Sequence, residues 1–110
     1  MSFTFVQGVT PSGFIASAHT HSLAYGSNVA AGNLLILAVN YAYPNTTNPA
    51  YNVTDSLGND WAPGPYSWDA SSGYGNQIFY CLGSKSSGAC TVTLQNAAPD
   101  AGTYTDITIL

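Results

Sequence analysis

Glutamate and arginine are absent from these 110 residues, and lysine occurs once, as Lys85. Those three residue types normally fill the exposed faces of helices. Without them the polar surface falls to Ser, Thr, Asn, Gly and Tyr, the residues of strands and turns. No window supports a long helix, and Ser27 to Gly32 offers one turn at most. Five aspartates against Lys85 give a formal charge of -4. Nucleic acid is excluded as a partner, because neutralising phosphates needs clustered basic side chains. Attraction to anionic lipid fails for the same reason. Long apolar runs are also missing. The longest, Leu34 to Val39, is strand-sized, against the roughly 18 residues of a membrane span, so membrane insertion is not expected. The first residues, Met-Ser-Phe-Thr-Phe-Val, lack the basic and continuously apolar regions of a signal peptide.

What is present alternates with period two. Phe3 and Phe5 share one face of a short N-terminal strand, and Leu23 and Tyr25 share one face of another. Leu34 to Val39 is apolar on both faces, which predicts a central strand running on through Asn40 to Tyr43. Further strands are predicted over Tyr51–Asp55, Gln77–Cys81, Cys90–Leu94 and Tyr104–Leu110, separated by turn signals such as Ser56-Leu57-Gly58-Asn59. An apolar fraction of 45 % argues for a folded globule. The expected fold is all-β: one antiparallel β-sandwich domain over 1–110, jelly-roll or Greek-key in type, with no substantial helix.

One set of strings carries a resemblance. Asn28-Val29-Ala30-Ala31-Gly32-Asn33-Leu34-Leu35 is followed by Asp55-Ser56-Leu57-Gly58-Asn59-Asp60-Trp61, then by Ile78-Phe79-Tyr80 and Val92-Thr93-Leu94. In this order the chain resembles a family of β-sandwich modules of bacterial surface and phage-related proteins. The resemblance spans almost the whole chain. It implies a β-sandwich in an exposed, extracellular, cell-surface or virion-surface location, and no shared catalytic residues. In such modules the last strand usually runs into a Glu-Tyr-Ser-Gly segment, which would begin where this chain ends at Leu110.

Phe3, Phe5, Ile107 and Ile109 lie on terminal strands without the lysines or prolines that blunt a sheet edge. They are the expected assembly surface, through which other copies or neighbouring modules would pair. The opposing expectation, that both terminal strands sit inside a closed sandwich, stays open.

Cys81 and Cys90 flank a segment that reads as a hairpin tip around Lys85-Ser86. That register sets the two cysteines directly opposite each other, within reach of a disulfide. Two buried thiols in a reducing cell are the alternative. His19 and His21 share a strand face at a chelating separation, but no third ligand is nominated by spacing, so no metal is assigned. Asp55 to Asp60 reads as a tight turn and not as a calcium loop, lacking the alternating ligands and terminal bidentate acid.

The richest stretch is Trp61 to Gly75, too full of Gly and Pro to read as a strand. Tyr66, Trp68, Asp69 and Tyr74 are its candidate glycan contacts, with flat rings for sugar faces and polar neighbours for hydroxyls. The competing reading folds the tryptophans inward, more strongly for Trp61 than for Trp68. Nucleophile motifs, phosphate loops and paired carboxylates are not apparent. Neither an enzyme nor a cofactor is expected. Asn45-Thr46-Thr47 and Asn52-Val53-Thr54 satisfy the glycosylation sequon. The exposed location that the resemblance implies, together with the unblunted terminal strands, leads to the expectation of a structural or adhesive module of a cell-surface, filament or virion assembly that self-associates through strand edges; the alternative is a small glycan-binding module.

Overall fold

The structure, a computed structural model, describes residues 4–10, 15–16, 20–42, 51–96 and 104–110. Within them the chain forms β1 (Ile15–Ala16), β2 (Thr20–Ala24), β3 (Leu35–Ala42), β4 (Tyr51–Asp55), β5 (Ala62–Asp69), β6 (Tyr74–Cys81), β7 (Thr91–Asn96) and β8 (Tyr104–Ile109), with no helix among the described residues. All strand pairs are antiparallel. A five-stranded sheet runs β1-β8-β3-β6-β5, and a three-stranded sheet runs β2-β7-β4. Side chains of both sheets meet in one core, including Leu37, Val39 and Ile109 from the larger and Val53, Val92 and Leu94 from the smaller. This is the expected β-sandwich.

The pairing of β1 with β8, β2 with β7 and β3 with β6 is that of a long antiparallel hairpin rolled into two layers, the jelly roll. The fourth rung of such a roll would join β4 to β5. Here β5 folds back on β6 instead, so among the described residues β4 pairs only with β7. β5 is consequently an edge strand, which explains how it accommodates Pro63 and Pro65. A proline cannot donate to a ladder and is tolerated at an edge or beside a bulge, and the register slips between Pro63 and Tyr66. The expectation that this Gly- and Pro-rich stretch stays out of strands is therefore corrected.

β3 shows why a run that is apolar on both faces takes the centre. Leu35, Leu37, Val39 and Tyr41 point into the core, while Ile36, Ala38 and Ala42 are half-buried on the outer face. β3 pairs with β6 on one side and β8 on the other.

The terminal strand is likewise an interior one. β8 lies between β3 and β1, and Val9 adds a further bridge to Ile109. Ile107 and Ile109 are 2 % and 0 % exposed. The reading of β8 as a bare edge is corrected: the segment around Val9 and β1 covers it. Phe3 lies outside the described residues. Phe5 lies among residues 4–8, which form no strand, contrary to the predicted N-terminal strand.

The predicted Cys81–Cys90 hairpin does not form. β6 and β7 lie in different sheets, so residues 82–90 cross between layers, and Cys81 sits opposite Leu35. Both cysteines are free thiols buried in the core. No disulfide joins them.

Candidate functional site

The Asp55 turn is a densely wired part of the molecule. One carboxylate oxygen of Asp55 accepts the backbone N–H groups of Leu57 (2.9 Å) and Asn59 (3.2 Å). The other accepts Asn59 Nδ2 (2.8 Å) and Trp61 Nε1 (2.7 Å). Gly58 supplies the positive φ of 69° that reverses the chain. Buried Asn59 passes the network on, its Oδ1 accepting the Lys85 backbone N–H at 2.7 Å. Ser56 accepts the Thr91 N–H through its hydroxyl. Leu57, Gly58 and Trp61 thus bond back to Asp55 to hold the turn, while Asn59 and Ser56 join it to the 82–90 crossover through Lys85 and Ala89. Desolvation pushes the Asp55 carboxyl up. The hydrogen bonds from Trp61, Asn59 and Leu57 outweigh that effect and hold it below its ordinary range.

At the other end of the sandwich lies the β5–β6 hairpin. Tyr41, Gly75 and Trp68 occupy directly opposed positions on β3, β6 and β5. A Cβ on Gly75 would lie 2.6 Å from the Tyr41 ring. The missing side chain lets Tyr41 lie across β6 and stack on Trp68, with centroids 5.6 Å apart and planes at 26°. Tyr51 of the facing sheet closes on the same ring at 5.6 Å. Trp68 is accordingly a half-buried packing residue.

The Asp69 carboxylate bonds only within the hairpin turn among the described residues. Its carboxylate accepts the Ser71 N–H and both the Ser71 and Ser72 hydroxyls, at 2.7 to 2.9 Å. These bonds, led by Ser71 and followed by Ser72, lower its pKa to about 2. Gly73 closes the turn at a φ of 73°.

The register divides the four candidate glycan contacts. Opposed residues of an antiparallel pair share a face, and neighbours along a strand alternate. Tyr66 and Trp68, opposite Gln77 and Gly75, lie on the core-side face; Asp69, opposite Tyr74, lies on the outer face. Tyr66 and Tyr74 are 62 % and 64 % exposed, but on opposite sides of the hairpin. The four do not converge. On the outer face Asp69 and Tyr74 instead join Ser67, Asn40 and Asn76 around a shallow groove of about 300 Å³.

Elsewhere, His21 is buried opposite Leu94 on β2, and His19 lies outside the described residues. Of the sequons, Asn52 is exposed on β4 and Asn45 lies outside the described residues. Cys90 has its thiol pushed up to about 11 by burial first, then by the charge of Asp55, a hydrogen bond to it, and Cys81. Such a thiol stays protonated near neutrality and is a poor nucleophile.

The second exposed feature is apolar. Phe5, Val6, Leu34, Leu82 and Leu110 are each at least two-fifths exposed and line one groove of about 620 Å³ at the end of the sandwich holding the chain's last residue. Gly8 sits among them; an added Cβ would meet Leu110 Cδ2 at 2.9 Å and Phe5 Cζ at 3.3 Å. Of these five, sequence reasoning singled out Phe5. Leu34 and Leu82 escaped it because each borders a strand, where alternation no longer signals which way a side chain points. Asn40 and Asn76 escaped because isolated asparagines carry no pattern until strand pairing aligns them.

No protein-family model, curated protein or solved structure matches this chain.

Proposed function

We propose that this domain is a non-catalytic structural or adhesive module of a cell-surface, filament or virion assembly, and that it self-associates. The observation that carries this reading is the apolar end. Phe5 and Leu82 are 71 % and 80 % exposed beside Val6, Leu34 and Leu110 in one continuous groove. Contiguous apolar patches of this kind on soluble domains mark protein interaction surfaces. Burying each such side chain contributes about 1.5–3 kcal/mol before the costs of association. The aspartates best placed to do chemistry have other work: Asp55 and Asp69 hold turns, and Asp60 pairs with Lys85 at 3.0 Å. Resemblance to surface modules supports an exposed, extracellular location. The partner is another copy or a neighbouring module of the same kind, with the contact at the sandwich end and not along β8.

Light scattering on a size-exclusion column tests this with the intact chain. The parent is expected to run as an oligomer at tens of micromolar, and the Phe5→Asp/Leu82→Asp variant as a folded monomer. Ile109→Asp should instead unfold the domain, because that side chain is fully buried. A monomeric parent, or an oligomer unaffected by the double substitution, would overturn assembly through this end.

The alternative, a glycan-binding module, does not survive as a single loop of Tyr66, Trp68, Asp69 and Tyr74, because those residues lie on two faces. What favours a glycan is confined to the outer face.

A further inference from the structure

We infer that the outer face of the β3–β6–β5 region is a binding groove for a neutral oligosaccharide, with Asn40, Asn76 and Ser67 as its hydrogen-bonding row and Tyr74 as its stacking platform. The inference stands independently of assembly through the apolar end, which lies elsewhere on the molecule.

The strand register builds the row. Ser67 is directly opposite Asn76, and Asn76 is directly opposite Asn40. Side chains at such positions share a face, with Cβ atoms about 5 Å apart. All three are exposed, and none of their side chains makes a hydrogen bond among the described residues. Two amides and a hydroxyl in line offer alternating donors and acceptors, the pattern that sugar hydroxyls satisfy from both sides. One row further along, Tyr74 stands 64 % exposed on the same face, its ring open to solvent. A phenol ring next to amides provides apolar area for the C–H face of a pyranose and polar groups to orient it.

Charge narrows the ligand class. No cation lines the groove, so phosphate, sulfate or carboxylate groups lack a counter-charge there. The carboxylate of Asp69 is occupied by Ser71 and Ser72 and repels anions. A volume of about 300 Å³ is at the small end of ligand clefts, which suits a short stretch of sugar chain lying across the strands. The groove also has a firm floor. Beneath it, on the core side, the Tyr41–Trp68 stack over Gly75 ties β3, β6 and β5 together. That packing presets the spacing of the row before a ligand arrives.

The test is an amide NMR titration of the intact chain with cellohexaose, maltohexaose and chitohexaose as neutral probes and a hyaluronan hexasaccharide as the anionic one. At least one neutral probe is expected to shift the side-chain amides of Asn40 and Asn76 saturably at millimolar concentration. Asn76→Ala and Tyr74→Ala should each weaken that binding by at least about tenfold, as expected for losing a central polar contact or the stacking ring. Tyr74→Phe keeps the ring and should bind within about threefold of the parent. Melting curves matching the parent show that the variants are folded. The inference is overturned if no neutral probe gives a saturable shift, if only the anionic probe binds, or if the shifts map to Tyr66 and Trp68 or to the apolar end.

Discussion

Two turns of this domain begin with an aspartate and close through a glycine of positive φ, yet they do opposite things. Asp55 reaches out: its carboxylate joins its own turn to the Trp61 indole and, through Asn59, to the backbone of Lys85, 26 positions beyond Asn59. Asp69 looks inward, spending its acceptors on Ser71 and Ser72 two and three residues away. Partly buried charge must be met by donors or it destabilises the fold, so the Asp55 network could form only together with the crossover it binds. Exposed charge carries no such demand. The Asp69 turn is locally complete, which leaves the face beside it available for contact with something else. Similar local chemistry therefore makes a structural clamp in one place and the rim of a surface groove in the other.

The comparison breaks most sharply at the two aspartates themselves. Asp55→Ala strands the Trp61, Asn59 and Leu57 donors and should cost about 3 kcal/mol in urea unfolding. Asp69→Ala should leave the unfolding midpoint close to the parent's, since water replaces what the carboxylate held. Equal effects would mean that the two turns play the same part.

Gly75→Ala sharpens the contrast from the other side. If the hairpin is held by packing and not by its turn, a Cβ placed 2.6 Å from the Tyr41 ring must force apart the stack on Trp68. The expected cost is about 2 kcal/mol, with a change in tryptophan fluorescence that Asp69→Ala does not produce.

The smallest effect is the pH dependence. The folded pKa of Asp55 is depressed below its ordinary 3.8, so its contribution is present above that value and fades as pH falls through the lower folded pKa. Cys90 is the reverse case. Its thiol is raised from 9.0 to about 11, so its contribution is present below pH 9 and fades as pH rises toward 11. Urea midpoints measured across pH should fall at both extremes. Asp55→Asn should flatten the acid limb, and Cys90→Ala the alkaline one.

Much of this was legible in the residues. The missing glutamate and arginine excluded long amphipathic helices, and alternation located β4 to the residue. The two-faced apolar run at Leu34 to Val39 marked the central strand. Asp55 to Asn59 read correctly as a tight turn, because the chemistry that makes a turn is carried by the residues inside it. Reach was where reading failed. Nothing near Asp55 announces that its partners include Trp61 and, by way of Asn59, the backbone beyond Ser84. Pro63 and Pro65 argued against a strand, and only the edge position of β5 removes that objection. The cysteines suggested a hairpin because a nine-residue step looks local, while the chain uses that step to change sheets.

The sequence by itself determined the all-β class, the central strand and the Asp55 turn, since propensity, period and turn chemistry act over a few residues. Tertiary structure alone decided which strands are neighbours. It put Ile107 and Ile109 inside by laying the segment around Val9 and β1 along β8. It also split Tyr66 and Trp68 from Asp69 and Tyr74, and aligned Ser67, Asn76 and Asn40 into one row. Pairing between distant strands depends on which combination buries the apolar faces together, and that is a property of the whole packed chain.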